Sequence, residues 1–351
     1  MAHRMNRFLL LLLPWPVLAQ TVVLENQTVR AEFDLAGGSL MDFQLTAMKL
    51  NPLSWDSKGT AGLARARGHF LCFDRWGQPS AAELQNGMPF HGEATHARWK
   101  LDGQSRGEAR MSVTLPMAGL SLERTAKLAG SAAMRVTETV ANLNKLGRMY
   151  NLVQHATIAP PFLDEGTVVD ANARKGFMQG SPMPNPEEPP VWWPSAQKEE
   201  QTVNLRHLTN DAQPNVVSYV VDEELGWVTA ATPAKGLLIG YLWRVREYPW
   251  LNLWRDVSRG KPAARGLEFG TTGLHQPFET LVAKGRIFGR PLYDYLDAGG
   301  TATRSYAVFL ARIPASFQGV DKVSYDGARV TLAEKGADTR IVIETGALFP
   351  D

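Results

Sequence analysis

The sequence has one cysteine, almost no net charge and no long apolar run. Cys72 excludes an intrachain disulfide, and a free cysteine inside an apolar run such as residues 70–73 is usually a small buried side chain rather than a nucleophile. The 37 basic and 35 acidic residues leave a net charge of +2, which gives no reason to expect nucleic acid or an anionic membrane as a partner. The apolar runs are much shorter than the roughly 20 residues of a membrane-spanning helix. Stability must therefore come from a packed core.

Motifs for metals, phosphates and activated serines are missing as well. The chain has no His-Glu-x-x-His, no calcium loop, no Gly-rich phosphate cradle and no Gly-x-Ser-x-Gly elbow. We therefore expect no metal and no cofactor. Acid–base chemistry by side chains alone, or binding without chemistry, remains.

The N-terminus has the pattern of a secretory signal peptide. Two arginines precede the apolar run 8–13, and Val17 and Ala19 occupy positions −3 and −1 of a cleavage site. The sequence predicts that residues 1–19 are removed after Ala19 and that the mature protein is periplasmic or secreted. The cleavage site lacks the cysteine that a lipoprotein needs.

Short segments with alternating apolar and polar residues follow one another along the rest of the chain, as is typical of β-strands. They are residues 28–34, 40–45, 97–101, 109–115, 120–126, 134–140, 216–221, 227–230, 237–243, 305–311, 328–332 and 340–344. Amphipathic helices longer than two or three turns are not evident. Alternation, rather than continuous apolar runs, favours antiparallel pairing. The pattern predicts an all-β fold, a large antiparallel β-sandwich or barrel with few short helices.

The predicted domain organisation is simple. Residues 20–317 are expected to form one sandwich domain, because all-β folds of this size often form a single body. Residues 318–351 look like an appended β-hairpin with a tight turn at Asp326-Gly327 and a third strand near its end. This extension is too short to be stable alone, so we expect it to pack on the edge of the sandwich.

A proline-rich segment interrupts the strand pattern. Residues 179–201 contain six prolines together with Trp192 and Trp193. Tryptophans in a stiff loop offer flat apolar surfaces on which sugar rings can stack. The alternative, that both rings hold the loop against the sandwich, is equally compatible with the sequence.

A second aromatic segment places Trp250, Asn252 and Trp254 two residues apart. On a strand these side chains share one face. The row could form the floor of a binding cleft or one half-buried face of a sheet.

Three titratable side chains lie at strand ends or turns, close to glycine or proline. They are His91 in Met-Pro-Phe-His-Gly, His155 ahead of Pro160-Pro-Phe, and Glu268 in Gly-Leu-Glu. In this order and at these intervals they resemble the motifs of the aldose 1-epimerase (galactose mutarotase-like) superfamily over residues 25–313. His155 is followed by Ala-Thr-Ile-Ala, where the family has proline directly, so the chain resembles a divergent member. The resemblance implies a single β-supersandwich that binds a carbohydrate.

The resemblance also implies roles for these residues. Glu268 would be the general base that takes the proton of the anomeric hydroxyl, and His155 the general acid that protonates the ring oxygen, so that the ring opens and closes to the other anomer. His91 would bind sugar oxygens. Further substrate-binding candidates, from the resemblance and the tryptophan segments, are Arg75, Asn252, Trp254 and Trp193.

The sequence leaves two alternatives open. The same fold could be a non-catalytic carbohydrate-binding module, or a polysaccharide lyase or hydrolase. Hydrolysis would need two carboxylates facing one bond, and Glu279 or Asp256 would have to join Glu268. Glu279 is also the rival to Glu268 as the base. The ligand could be a mono- or oligosaccharide, and the sequence leaves its identity and the oligomeric state open.

Overall fold

The computed structural model describes residues 21–59 and 65–349, so the predicted signal peptide lies outside the described residues. The all-β prediction is confirmed, with about 51% of residues in strands and 5% in helices. Within the described ranges, no helix is long and apolar enough to cross a membrane.

Strands follow one another along both halves of the chain. The first half contains β1 Thr21–Glu25, β2 Val29–Asp34, β3 Ser39–Leu45, β4 His69–Asp74, β5 Lys100–Gln104, β6 Glu108–Leu115, β7 Leu120–Ala129, β8 Ala133–Asn142, β9 Arg148–Ile158, β10 Val168–Ala171, β11 Ala173–Met178, β12 Val191–Trp192, β13 Ser195–Lys198 and β14 Gln201–Asn204. The second half contains β15 Val216–Val221, β16 Leu225–Thr232, β17 Leu237–Arg244, β18 Trp250–Ser258, β19 Lys261–Gly266, β20 Glu268–Gly270, β21 Arg286–Ile287, β22 Arg290–Pro291, β23 Asp294–Leu296, β24 Thr301–Arg312, β25 Val320–Tyr325, β26 Arg329–Glu334 and β27 Arg340–Glu344. The helices are α1 Ala81–Gln85 and α2 Phe278–Lys284, with one 3₁₀ turn at Pro233–Lys235.

Two large antiparallel sheets form the body of the molecule. The 12-stranded sheet runs β1-β2-β3-β4-β9-β19-β18-β15-β11-β12, with β20 paired to β18 and β9 and with β23 paired to β9. The 8-stranded sheet runs β10-β16-β17-β24-β8-β7-β6-β5. Small sheets of β13-β14, β21-β22 and β25-β26-β27 complete the described strands.

The main apolar core lies between the two large sheets. Leu152 of the 12-stranded sheet and Val136 and Ile239 of the 8-stranded sheet are fully buried members of one cluster. Trp243 of β17 stacks on Phe269 of β20 with ring centroids 4.5 Å apart, a direct contact between the sheets. Such interlocking of two inner faces is the packing expected of a sandwich.

The central strands β4 and β9 are buried on both faces. On β4, Leu71 belongs to the main core, whereas Cys72 belongs to a second apolar cluster on the opposite face; on β9, Leu152 and Val153 divide in the same way. Successive strand residues point to opposite faces, so these strands separate the core from a second packed layer. The candidate site lies in that second layer.

Two local predictions need correction. Residues 97–101 were predicted as a strand, but β5 begins at Lys100, because the Trp99 indole turns inward, donates to the Ala94 carbonyl oxygen at 3.2 Å and packs under the Arg124 guanidinium. Residues 179–201, predicted as one interruption, include the short strands β12 and β13. The backbone groups of β12 bond to β11, and those of β13 bond to β14, so the backbone of this segment has hydrogen-bond partners.

The C-terminal sheet of β25, β26 and β27 packs on the sandwich. Val323, Leu332 and Ile343 belong to the main core cluster. The Val320 backbone N–H donates to Asp170 Oδ2 at 2.9 Å. The domain boundary at residue 318 itself stays a prediction.

Candidate active site

A cavity of about 260 Å³ opens on the face of the 12-stranded sheet that points away from the core. Most of its wall is aromatic, and its polar groups are one carboxyl, three imidazoles, one amide and the indole N–H groups of three tryptophans. The lining residues are Trp55, Phe70, Trp76, Phe90, His91, His155, Asn215, Val216, Trp254, Glu268 and His275. Four of the seven site residues proposed from the sequence are among them.

Glu268 and His155 meet on neighbouring strands. Phe269 of β20 pairs with Gln154 of β9 in an antiparallel ladder. Glu268, which precedes Phe269, therefore lies opposite His155, which follows Gln154, on the cavity side. Glu268 Oε1 lies 3.1 Å from His155 Nε2, and the Trp76 indole N–H donates to Glu268 Oε2 at 2.9 Å. His155 lies inside β9 rather than at a strand end, so the regular ladder fixes its position.

Burial controls the protonation of this pair. Burial raises the pKa of Glu268 well above its usual value, although the Trp76 hydrogen bond opposes the shift. Burial lowers the pKa of His155 to about 3. Both shifts favour neutral forms, since charged groups are costly to remove from water. The pair therefore fits one shared proton and no net charge.

The second nitrogen of His155 is held by Thr157. His155 Nδ1 and Thr157 Oγ1 are 3.0 Å apart. With the proton on Glu268, Nδ1–H donates to the threonine oxygen, and the unprotonated Nε2 faces the carboxyl at 3.1 Å. This arrangement fixes the ring plane and the tautomer, as outer hydrogen bonds commonly do for functional histidines.

His91 lies in a left-handed turn that its neighbour makes possible. Its φ is 63°, and Gly92 follows with a φ of 80°. A Cβ on Gly92 would come within 2.0 Å of the Phe73 carbonyl oxygen, so only glycine fits there. The Gly77 backbone N–H donates to His91 Nδ1 at 3.0 Å. Burial lowers the pKa of His91, and the neutral ring therefore carries its proton on Nε2 as a donor.

Aromatic rings form the wall beside the acid–base pair. Phe70 stacks on the His155 ring with centroids 4.1 Å apart, and Trp55 stacks on Phe70 at 5.6 Å. Trp254 meets Trp55 edge-on at 5.9 Å. Such a surface binds the C–H face of a ring and leaves its hydroxyls to other partners.

His275 was missed by the sequence reasoning. Its ring lies 5.5 Å from the His91 ring and 4.7 Å from the Trp76 ring, centroid to centroid. Burial lowers the pKa of His275 to about 4. The segment around His275 carries no motif, so only the folded chain brings it to the cavity. Trp55, Phe70, Trp76 and Phe90 were missed as well, although Phe90 directly precedes the candidate His91 and Trp76 directly follows the candidate Arg75.

Arg75, Asn252 and Trp193 do not line the cavity. Arg75 bonds Asp74 and Glu83. Asn252 sits opposite Glu268 in the ladder, where its amide N–H donates to the Thr272 carbonyl oxygen at 3.1 Å.

Trp193 packs edge-on against Tyr219, with ring centroids 5.6 Å apart, whereas the neighbouring Trp192 is exposed. The rival base Glu279 is exposed on α2 and lies outside the cavity wall. Within the described residues, no group of three or more His, Cys, Asp or Glu side chains is arranged to hold a metal ion.

Comparison with known proteins identifies the fold. No protein-family model and no curated protein matches the chain. Solved structures do match. A galactose mutarotase related enzyme from Lactobacillus acidophilus is 12% identical with a TM-score of 0.63, and the match covers 87% of this chain and 100% of that one.

Two further solved structures agree. A galactose mutarotase-like protein from Clostridium acetobutylicum is 12% identical with a TM-score of 0.62, covering 84% of this chain and 95% of that one. A protein of Escherichia coli provisionally named aldose 1-epimerase is 12% identical with a TM-score of 0.60, covering 84% and 100%. The chain thus has the galactose mutarotase-like fold, and the predicted resemblance of a divergent member is confirmed at the level of the fold.

Proposed function

We propose that this protein is an aldose 1-epimerase that interconverts the anomers of a free sugar, with Glu268 and His155 moving the protons. The observation that carries the proposal is the close contact of an acid and a base, Glu268 Oε1 and His155 Nε2 at 3.1 Å, on the floor of an aromatic cavity. A fold shared with mutarotase-like proteins supports it, although a fold alone does not determine function.

The reaction needs one group that gives a proton and one that takes a proton. The anomeric hydroxyl loses its proton as the C1 carbonyl forms, the bond from C1 to the ring oxygen breaks, and the ring oxygen is protonated. Rotation about C1–C2 and the reverse steps deliver the other anomer. A pair that shares one proton supplies both functions without any net change in charge.

The electrostatics favour a definite starting state. Burial keeps the proton on Glu268 and leaves His155 Nε2 with a free lone pair. In the first ring opening Glu268 would then be the donor and His155 the acceptor, the reverse of the roles that the resemblance implies. Ring closure exchanges the two roles, so each residue serves as acid and base once per cycle.

His91 is suited to position the sugar. Its Nδ1 is occupied by the Gly77 backbone N–H, which leaves Nε2–H free to donate to a sugar oxygen. Phe70 and Trp55 offer a flat surface for the opposite, apolar side of the ring. Binding of a carbohydrate by this chain is part of the proposal.

The hydrolase alternative lacks support from the cavity. Glycoside hydrolysis commonly uses two carboxylates that face one bond. Glu268 is the sole carboxylate among the residues that line the described cavity, and Glu279 is exposed on α2. A non-catalytic sugar-binding role on the same fold is instead an outcome of the anomer-exchange test.

The test is anomer exchange by saturation-transfer NMR across a panel of free aldoses. We expect exchange with the wild type and a loss of about 10²- to 10⁴-fold in Glu268→Gln and in His155→Gln. Glu279→Gln, at an exposed position outside the cavity, is the matched control and should keep wild-type exchange. Sugar binding without exchange would reject the enzyme and leave a binding module. If neither occurred, the likeness would be one of fold only.

We also propose that the protein is exported, with residues 1–19 removed as a signal peptide and residues 318–351 acting as an extension of the sandwich domain. N-terminal sequencing of the mature protein, expressed with its full N-terminus, should begin at Gln20. An intact Met1 on protein recovered from the cytoplasm would reject export.

A further inference from the structure

We propose that Gln179 is a positioning residue that acts through His275: it fixes the segment of residues 271–275 so that the His275 ring bonds the sugar beside His91. This inference rests on the proposed function and adds two residues to the same site. Gln179 itself does not line the cavity, so its effect on the reaction passes through a residue that does.

The side-chain amide of Gln179 bonds two residues of the segment that follows β20. Its Oε1 accepts from the His275 backbone N–H at 3.0 Å, and its Nε2 donates to the Gly273 carbonyl oxygen at 2.6 Å. Nε2 also donates to Ser218 Oγ of β15 at 2.7 Å. The Gln179 amide thus ties the segment to a strand of the 12-stranded sheet.

Two further contacts hold the same segment. Asn252, which pairs with Ser218 in the ladder of β15 and β18, donates from its amide to the Thr272 carbonyl oxygen at 3.1 Å. Gly273 lies against the Trp250 ring, where a Cβ would come within 2.1 Å of Cε3, so only glycine permits this close approach. The segment is therefore held at residues 272, 273 and 275.

His275 is the residue of this segment that lines the described cavity. Its ring lies between Trp76 and Phe90, with the His91 ring 5.5 Å away, centroid to centroid. Burial lowers the pKa of His275 to about 4, so near neutral pH the ring is uncharged and has one N–H donor and one lone pair. The His91 and His275 rings can therefore bond two hydroxyls of one sugar ring.

The acid–base pair is held by other contacts. Glu268 and His155 are brought together by the ladder of β20 and β9. Their outer hydrogen bonds involve Trp76 and Thr157. Loss of the Gln179 amide should therefore leave the proton transfers in place and weaken the hold on the sugar. Such a change raises KM and leaves kcat nearly unchanged.

The test is a double-mutant cycle of Gln179→Met and His275→Ala, measured by anomer exchange with the aldose that the wild type exchanges fastest. Methionine keeps the length of the side chain and removes the amide. We expect each single variant to raise KM about tenfold with kcat within about threefold of the wild type. The double variant should match His275→Ala, because Gln179 has nothing to position once the ring is absent.

Gln197→Met is the matched control. Gln197 is exposed on β13, where its amide donates to Thr202 Oγ1 at 3.2 Å outside the cavity wall, and this variant should keep the wild-type KM. A wild-type KM in His275→Ala would overturn the inference. So would a Gln179→Met effect that persists in full when His275 is already alanine. Both results leave the acid–base reaction itself intact.

A titration without sugar tests the positioning directly. The pKa of His275 can be followed by NMR of the histidine ring carbons, with the signal assigned from its loss in His275→Ala. Gln179→Met frees the segment and exposes the ring to water, so the pKa of His275 should rise towards 6.5. Unchanged signals of the other histidines show that this variant is folded. An unchanged pKa of His275 in the folded variant contradicts the positioning role.

Failure of the proposed function has a different signature. If sugars bind without exchange, the epimerase is rejected, and the same cycle in Kd from calorimetry judges the inference. An effect of Gln179→Met that vanishes in the His275→Ala background supports it, and independent effects reject it. If no sugar of the panel binds, the sugar contact of His275 and the proposed function fall together.

Discussion

Two buried clusters of histidine and carboxyl groups lie on opposite faces of the same strands. Behind the sheet, His69 Nε2 lies 3.0 Å from Gln154 Oε1, Gln154 Nε2 donates to Glu138, and Arg124 Nε donates to Glu138 at 2.7 Å. In front of it, His155 of β9 meets Glu268.

The two clusters differ in charge compensation and in what they face. The cluster behind the sheet contains a buried cation, and its Glu138 carboxylate accepts hydrogen bonds from both the Gln154 amide and Arg124. The cluster in front has no cation among the cavity-lining residues, and burial favours the neutral form of its carboxyl by raising the pKa of Glu268. Glu268 and His155 both face the open cavity. Similar residue types thus build a closed structural network behind the sheet, and in front of it a cluster whose hydrogen-bonding capacity is left for a ligand.

The largest effect should come from breaking the rear cluster. Glu138→Gln leaves the Arg124 guanidinium buried without its countercharge, and removal of one partner of a buried ion pair costs about 3–5 kcal/mol. Denaturant unfolding checks this loss of stability, provided that the variant and the wild type have the same m-value. A loss below about 1 kcal/mol would mean that the rear cluster does not depend on its charges.

A smaller effect is expected from displacing the front carboxyl without removing it. A Cβ at Gly266 would lie 2.5 Å from Glu268 Oε1 and 3.0 Å from Trp254 Cβ. Gly266→Ala should therefore push the carboxyl away from His155 and lower the kcat of anomer exchange by about 10²-fold.

Gly107→Ala is the matched control, because a Cβ there meets nothing within 4 Å. Equal kcat values for Gly266→Ala and Gly107→Ala would show that the 3.1 Å contact does not matter for the reaction.

Acid should destabilise the rear cluster in a predictable range. Burial, reinforced by the Arg124 charge, lowers the pKa of His69 to about 3 from its usual 6.5. The unfolded chain therefore binds the proton first, and the stability that His69 contributes is complete above pH 6.5 and is lost as the pH falls towards 3.

Comparing unfolding free energies from about pH 7 to about pH 4 tests this origin of the acid sensitivity. His69→Gln should show a slope shallower than the wild type by about 1.4 kcal/mol per pH unit. Parallel profiles of the two proteins would assign the acid sensitivity to other groups.

The smallest effect on stability should come from the front carboxyl. Glutamine at position 268 can accept from Trp76 and place an uncharged amide beside His155 Nε2, where the neutral carboxyl lies at 3.1 Å, so we expect a change below about 1 kcal/mol at acidic pH. Because the folded pKa of Glu268 is raised, the wild type loses stability as the pH rises above 4.5, and Glu268→Gln should gain on it there. A variant that becomes less stable than the wild type with rising pH would mean that Glu268 is ionised in the fold.

The sequence predicted strands β6 and β7 close to their observed bounds, because their burial alternates between the two faces. Strand β15 is buried on both faces and was still predicted, because its run of valines and a tyrosine is bounded by Asn215 and Asp222. The strands β4 and β9 are buried on both faces and show no alternation. Periodicity therefore missed the strands that carry His155 and Phe70.

The site was predictable only where side chains stand in recognisable motifs. His91, His155 and Glu268 come from three separate motifs, and the fold brings them to one cavity. His275 and Trp76 reach the same cavity through tertiary packing, for which the sequence has no local signal. Arg75 was expected at the site from a motif, but its guanidinium bonds Asp74 and Glu83 and does not line the cavity.

The strand register has a consequence for how the protein would acquire activity during refolding. Phe70 pairs with His155, and Gln154 pairs with Phe269. The register of these strand pairs therefore determines which of the two clusters lies on which face of the sheet. A shift of β9 by one residue would carry Gln154 to the cavity and His155 into the core. Recovery of anomer exchange after dilution from denaturant should therefore follow the native pairing of β9, and collapsed chains with shifted pairing should be inactive.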